Sequence, residues 1–256
     1  MESLKNKIIF ITGATAGIGK STAFAFAKQG AKLVLTARRE EVLNNLAGEL
    51  KNKFNIEVYT SKMDVKNAEE VKNVISSLPA RWSDIDILIN NAGLAKGFGH
   101  IYEDDPANWD EMIDTNLKGA LYVIRYIVPG MIKRGSGHVI NLGSTAGHMS
   151  YANGGVYCAT KFGIRAISDA LRIELLDKNI RVSSVDPGAV ETEFSNNRFN
   201  GDKARAKKVY EGTTPLNGDD IAEAILFCAS RPPHANINEV IITPNVQANS
   251  FFIHRK

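Results

Sequence analysis

The chain has 256 residues, 44% of them hydrophobic and 23% charged, the proportions of an ordinary globular protein, which exclude disorder and low-complexity architectures. Thirty-one basic against 28 acidic residues leave +3, too small a surplus for a nucleic-acid partner. Two cysteines, Cys158 and Cys228, cannot build a disulfide framework, and the five scattered histidines lack metal-ligand spacing. No metal is therefore expected, and a reduced, cytoplasmic setting is. The apolar run Ile8–Ile11 is too short for a signal-peptide core, and no stretch reaches the roughly 18 apolar residues of a membrane span.

Short apolar runs alternate with helical patterns from end to end. Strands are expected at Ile8–Thr12, Lys32–Thr36, Glu57–Lys62, Ile85–Ile89, His138–Leu142, Arg181–Val185 and Val240–Thr243. Helices are expected at Lys20–Lys28, Glu40–Lys51, Ala68–Ser77, Trp109–Lys133, Tyr157–Asp177 and Asp220–Ala229. This rhythm predicts βαβ units, hence one Rossmann-like α/β domain over residues 1–256 with a seven-stranded, doubly wound parallel sheet. Its strands read as continuous apolar runs because both faces of the sheet are covered. The stretch from Gly188 to about Asp219 breaks the rhythm and reads as a flap over the ligand edge of the sheet.

Thr12-Gly13-Ala14-Thr15-Ala16-Gly17-Ile18-Gly19 joins the first strand to the first helix. Such a turn lets backbone approach a pyrophosphate seated on the helix N-terminus. Its spacing, GxxxGxG, differs from the generic GxGxxG, but its place after an N-terminal strand favours a nucleotide site. An NAD site puts an acid at the end of the second strand, for the ribose 2′-hydroxyl. Here that end reads Ala37-Arg38-Arg39, and guanidinium groups there suit a 2′-phosphate, so NADP is expected. The alternative is that both arginines face water beside Glu40 and Glu41.

Tyr157 and Lys161, four apart on a helix, share one face. Chance alone yields about half a YxxxK match in this chain, so the pair gains weight from company. Ser144, Asn91 and Pro187-Gly188 fall on the same carboxyl edge of the sheet as the glycine turn. The chemistry of carbonyl reduction explains the residue types. A tyrosine can protonate the alkoxide left by hydride transfer, an ammonium beside it should lower its pKa, and a serine can stabilise the developing oxyanion. Lys161 could also hold the nicotinamide ribose.

These residues resemble the short-chain dehydrogenase/reductase family, in its single-domain branch. The resemblance runs over the whole chain: TGxxxGxG on Thr12–Gly19, NNAG on Asn90-Asn91-Ala92-Gly93, YxxxK on Tyr157 and Lys161, PG on Pro187-Gly188. It implies a catalytic set of Asn116, Ser144, Tyr157 and Lys161. It implies further cofactor contacts at Gly13, Thr15, Ala16, Gly17, Ile18, Gly19, Asp64, Val65, Ala189, Val190 and Thr192. Segments Ser83–Ala95, Gly143–Gly147 and Glu191–Ser195 with Arg198-Phe199 resemble one subgroup, the NADP-dependent 3-hydroxy acid dehydrogenases. That implies small substrates such as serine, L-allo-threonine, 3-hydroxyisobutyrate or 3-hydroxypropionate, and a homotetramer.

A small acid needs a cation for its carboxylate, and Arg198 is the candidate; a surface role for it is equally open. His148 and Tyr151, between Ser144 and Tyr157, are expected to line the same pocket. Two other readings stand beside this one: a carbonyl reductase for a thioester, ketone or sugar, and a cofactor-binding regulator without catalysis. The tail after Pro244 ends near Phe251-Phe252-Ile253. It is expected either to fold back on its own subunit or be disordered, or else to dock on a neighbour and help hold the oligomer.

Overall fold

The computed structural model describes residues 2–199 and 201–256; Met1 and Asn200 lie outside them. Seven strands form: β1 Ile8–Thr12, β2 Lys32–Ala37, β3 Val58–Lys62, β4 Ile87–Asn90, β5 Gly137–Leu142, β6 Ile180–Pro187 and β7 Glu239–Ile242. All pair in parallel, in the order β3-β2-β1-β4-β5-β6-β7. Ten α-helices accompany them among the described residues. The first five are α1 Gly17–Lys28, α2 Glu40–Phe54, α3 Ala68–Ser76, α4 Ala80–Ser83 and α5 Pro106–Ile113. The rest are α6 Gly119–Arg134, α7 Gly155–Glu174, α8 Phe194–Arg198, α9 Lys203–Lys208 and α10 Gly218–Ala229.

Alternate side chains of each strand enter different cores. Ile9, Ile11, Leu33, Leu35 and Val185 pack with Phe26, Leu43 and Ile225 on the side of α1, α2 and α10. Ile8, Phe10, Val34, Val139 and Val182 pack with Val71, Val123, Ile127 and Leu171 on the side of α3, α6 and α7. Burying each large side chain stabilises by roughly 1.5–3 kcal/mol, so both strand faces must be apolar, and the continuous runs follow. Chain order reverses between β1 and β4, and in sheets of this kind ligands bind at that crevice.

The single long helix expected over residues 109–133 is interrupted. A π-helical turn, Asp114–Lys118, separates α5 from α6. Such turns widen the ladder by one residue and collect at functional sites, and this one carries Asn116. Gly119 follows it because a Cβ there would stand 2.7 Å from Val65 Cγ2. Gly135 ends α6 with φ +65°, the left-handed cap that glycine takes at least cost. The expected helix over 157–177 begins at Gly155 and stops at Glu174, where a 3-10 turn takes over.

The flap carries α8 and α9. The tail folds back on its own subunit: Gln247 bridges Ile253, Lys256 N donates to Gly212 O at 3.0 Å, and Arg255 Nη2 donates to Val209 O at 3.1 Å. Backbone pairing thus ties the tail to the flap, while Phe251 and Phe252 remain 64% and 63% exposed. No helix among the described residues is long and apolar enough to cross a membrane.

Candidate active site

The glycine turn leaves β1 with Gly13 at φ +66° and Gly17 at φ +48°. Both angles favour glycine. A Cβ at Gly17 would stand 3.2 Å from Thr192 of the flap, and one at Gly19 would stand 2.5 Å from Asn91 Nδ2. Asn91 braces the turn. Its Nδ2 donates to Thr12 O at 2.8 Å, while the backbone N–H groups of Asn91 and Ala92 donate to Thr12 Oγ1 at 3.0 and 2.9 Å. The turn between Thr15 and Ile18, the start of α1 and the flap residue Thr192 therefore surround one cradle. Ala189 N and Val190 enter the flap beside it, held by Gln247 Oε1 at 2.8 Å and by a bridge to Leu216. Gly188 N donates to Ile242 O at 2.8 Å, so Pro187-Gly188 leaves the sheet at the expected edge.

The two arginines after β2 differ. Arg39 Nη2 reaches over the turn to Thr15 Oγ1 at 3.2 Å and faces Glu193 of the flap at 3.5 Å, whereas Arg38, exposed like Arg39, makes no such contact among the described residues. Asp64 and Val65 follow β3 on the same edge; the Asp64 carboxylate accepts from Lys66 N at 3.1 Å, and Val65 is buried against Gly119.

Tyr157 and Lys161 point from the first turns of α7 into this edge, both buried. Ser144, capping the 3-10 turn Thr145–Gly147, hydrogen-bonds the Tyr157 phenol and donates to Pro187 O at 3.4 Å. Asn116 sits behind: its Oδ1 accepts from Leu94 N and its Nδ2 donates to Leu94 O, both at 2.8 Å, and Nδ2 also donates to Thr160 Oγ1 at 3.0 Å. A Cβ at Gly93 would stand 3.3 Å from Asn116 Oδ1. The structure thus brings together Asn116, Ser144, Tyr157 and Lys161 from three segments.

The electrostatics differ from the sequence expectation. Burial, then neighbouring Tyr151, holds the Tyr157 phenol well above its ordinary range, while the Ser144 hydrogen bond and Arg198 pull it down. Lys161 is not the lowering partner in this arrangement. Its Nζ donates to Leu142 O at 2.8 Å and lies 5.9 Å from the Tyr157 ring centroid. Burial lowers Lys161 to about 8, opposed by the charge of Asp186.

Beside Tyr157 lies a cavity of about 10 Å³, lined by Trp109, Met112, Gly155, Tyr157 and Arg198 among others, room for about one water. The flap closes it. Phe194 meets the Tyr157 ring edge-on at 5.5 Å, and the Arg198 guanidinium lies 5.7 Å from that ring's centroid. Arg198 also stacks on Phe98 at 4.7 Å and donates from Nη1 to Tyr151 Oη at 3.0 Å, so Tyr151 touches a lining residue without itself lining the cavity. Two buried donors here lack a partner among the described residues: Arg198 Nε and Trp109 Nε1. Unsatisfied buried donors are costly, and both belong to residues that line the cavity. Trp109 was not legible as a site residue, because a tryptophan on a helix reads as core.

His148 departs from expectation. It is not among the residues lining that cavity; its Nε2 meets Asp186 Oδ2 at 2.5 Å and lies 3.6 Å from Glu239 Oε1. The turn after Ser144 swings it behind Lys161 instead, because a buried carboxylate waits there. The three ligand atoms of His148, Asp186 and Glu239 lie within 4.8 Å of one another. That proximity joins three elements, so no linear spacing could show it. Arg165 Nε, 3.3 Å from Glu239 Oε1, already supplies a positive charge there.

A short chain dehydrogenase family profile matches residues 7–203. The chain belongs to that family, and it is an oxidoreductase of the dehydrogenase kind. In particular, it is 43% identical over 251 residues to the NADP-dependent 3-hydroxy acid dehydrogenase of Shigella flexneri, covering 97% of this chain and 100% of that one. It is 41% identical to sulfoacetaldehyde reductase 2 of Chromohalobacter salexigens, over 96% of this chain and 97% of that one. Among solved structures it resembles the closed form of serine dehydrogenase complexed with NADP+, with TM-score 0.91 and 43% identity over 97% of this chain and 100% of that one.

Proposed function

We propose that the chain oxidises the 3-hydroxyl of small hydroxy acids with NADP and reduces the matching 3-oxo acids. The carrying observation is the closed cavity that sets the Arg198 guanidinium beside the Tyr157 ring, with Arg198 Nε and Trp109 Nε1 unpartnered. NADP fits the cradle: Gly13 and Gly17 hold positive φ, Gly19 packs too closely on Gly13 and Asn91 for a Cβ, and two arginines stand where a 2′-phosphate would lie. When bound, NADP supplies the hydride acceptor. The residues of Thr12–Gly19 would hold its pyrophosphate, Asp64 and Val65 its adenine, and Thr192 its nicotinamide amide. Tyr157 takes the hydroxyl proton, Ser144 hydrogen-bonds the same oxygen, and Arg198 with Trp109 orients the acid group. The cavity has room for about one water, so a hydroxy acid enters only when the flap moves aside, and closure over the bound acid excludes water and strengthens these interactions.

Arg198→Met keeps the bulk of the side chain and removes the charge. Losing a charge-assisted contact of about 1.5–3 kcal/mol should lower kcat/KM for serine or 3-hydroxyisobutyrate by about 10- to 100-fold, with NADP affinity unchanged. Equal activity of variant and parent in steady-state assays would remove Arg198 from the site. A second reading, a sulfonate in place of the carboxylate, rests on the similarity to the sulfoacetaldehyde reductase, since one guanidinium suits both anions. A panel of 3-hydroxy acids beside 2-hydroxyethanesulfonate, read by NADP reduction, separates the two. Silence across the panel favours a binding protein without catalysis.

A homo-oligomer, with tetramer the expected state, belongs to the same proposal. The exposed rings of Phe251 and Phe252 support it, since burying each could contribute roughly 1.5–3 kcal/mol before ordering costs. Truncation after Asn249 also removes the ties from Arg255 and Lys256 to the flap. It should lower the mass in light scattering or raise KM for the hydroxy acid while sparing NADP affinity. Unchanged mass and kinetics would rule the tail out of both roles.

A further inference from the structure

Behind the reacting groups lies a carboxylate that the scheme above does not use. Asp186, near the end of β6, is 1% exposed. A buried carboxylate is costly unless its oxygens are bound and its charge is balanced. Ser184 Oγ donates to one oxygen, and the other meets His148 Nε2 at 2.5 Å. No Lys or Arg nitrogen among the described residues lies within 4.0 Å of it. The nearest built link to a cation runs through one peptide unit. Lys161 Nζ donates to Leu142 O at 2.8 Å, and Asp186 Oδ1 lies against the adjoining Gly143, where a Cβ would collide with it. Ser144 is the next residue. Gly143 N is itself held by Val185 O at 2.9 Å, so the carboxylate, the lysine and the serine share one rigid segment.

We propose that Asp186 is a positioning residue for the Lys161–Tyr157 pair: a buried counter-charge to the Lys161 ammonium, fixed by Ser184 and His148 against the turn that carries Ser144. The surroundings of this charge are Lys161 and Arg165 from α7, Glu239 from β7, and His148 from the turn after β5. Arg165 pairs with Glu239 at 3.3 Å, His148 bonds Asp186 directly, and Lys161 is the lysine on which the Asp186 charge acts. Through-space attraction favours the charged lysine and opposes the burial that lowers it. The inference rests on Tyr157 and Lys161 being the reacting pair, but its main test needs neither substrate nor cofactor.

Asp186→Asn keeps the shape and removes the charge. The Lys161 ammonium titration, followed by heteronuclear NMR on lysine-labelled protein without ligands, should then fall by about one pH unit from its midpoint of about 8. Asp186→Ser gives the same reading should the Asn variant not fold. His148→Gln, which leaves the carboxylate in place, should not lower the midpoint. In oxidation assays with any accepted alcohol, the pH at which kcat/KM levels off should move down with the Lys161 midpoint, and the plateau should fall about tenfold. A Lys161 midpoint unchanged by loss of the charge overturns the proposal. So does an equal fall with His148→Gln, which would mean disturbed packing rather than lost charge. If the panel of hydroxy acids is silent but the NMR midpoint moves, the electrostatic role stands and the substrate assignment fails.

Discussion

Replacing Tyr157 by Phe is expected to lower kcat by about 10²- to 10⁴-fold, the range that positioned proton transfer contributes. NADP affinity should stay almost unchanged, since only the hydroxyl is lost and the ring keeps its contact with Phe194. Stopped-flow turnover with cofactor binding by fluorescence checks both halves. Activity within threefold of the parent would mean that another group moves the proton. The parent's pH profile follows from the two buried groups. Tyr157 is raised by burial and Lys161 lowered to about 8. The oxidising form carries one proton fewer than the resting form, with the phenolate beside an ammonium. Its population climbs about tenfold per pH unit until the pair as a whole has lost that proton. Oxidation should therefore rise with pH up to about 8 and level off above it, while reduction holds level up to that pH and falls beyond it. Coupled groups share such a midpoint, so the profile reports the pair rather than either residue alone.

Changing Arg38 to Asp together with Arg39 to Ala should shift the NADP-to-NAD ratio of kcat/KM by about 10²- to 10⁴-fold towards NAD. Each charge-assisted contact with a phosphate stabilises by about 1.5–3 kcal/mol, and an acid at this point repels the 2′-phosphate while accepting from a ribose hydroxyl. The two single variants should differ. Arg39 already bonds Thr15 and faces Glu193, so losing it also loosens the flap from the glycine turn and should raise KM for the hydroxy acid. Arg38 is exposed, and its loss should touch the cofactor alone. A ratio unchanged in the double variant would place the 2′-phosphate elsewhere.

Much of this protein was legible in its linear order. Strand and helix positions followed from apolar runs and helical spacing, because the central strands of a sheet covered on both faces bury nearly every position and are mostly apolar. The glycine turn, the arginines after β2, and the Ser144, Tyr157 and Lys161 set were legible for a related reason. A parallel sheet carries the carboxyl end of every strand to one edge, so residues just after strands must meet there. What failed to show was whatever depends on which side chains face each other across elements. The π turn at Asn116 is invisible to periodicity, which a single wide turn barely disturbs. Trp109 reads as core until the flap sets Arg198 on the far side of the same cavity. His148 follows Ser144 by four residues and so was assigned to the substrate pocket. The turn Thr145–Gly147 directs it to Asp186 instead, since a buried carboxylate must find donors wherever the fold leaves them. Strand order and helical spacing are local consequences of backbone geometry and water, and the sequence alone determined them. The contact of Asp186 with His148, and the burial that moves Tyr157 and Lys161 apart in acidity, arise only when β5, β6 and α7 pack, because desolvation and charge act through space rather than along the chain.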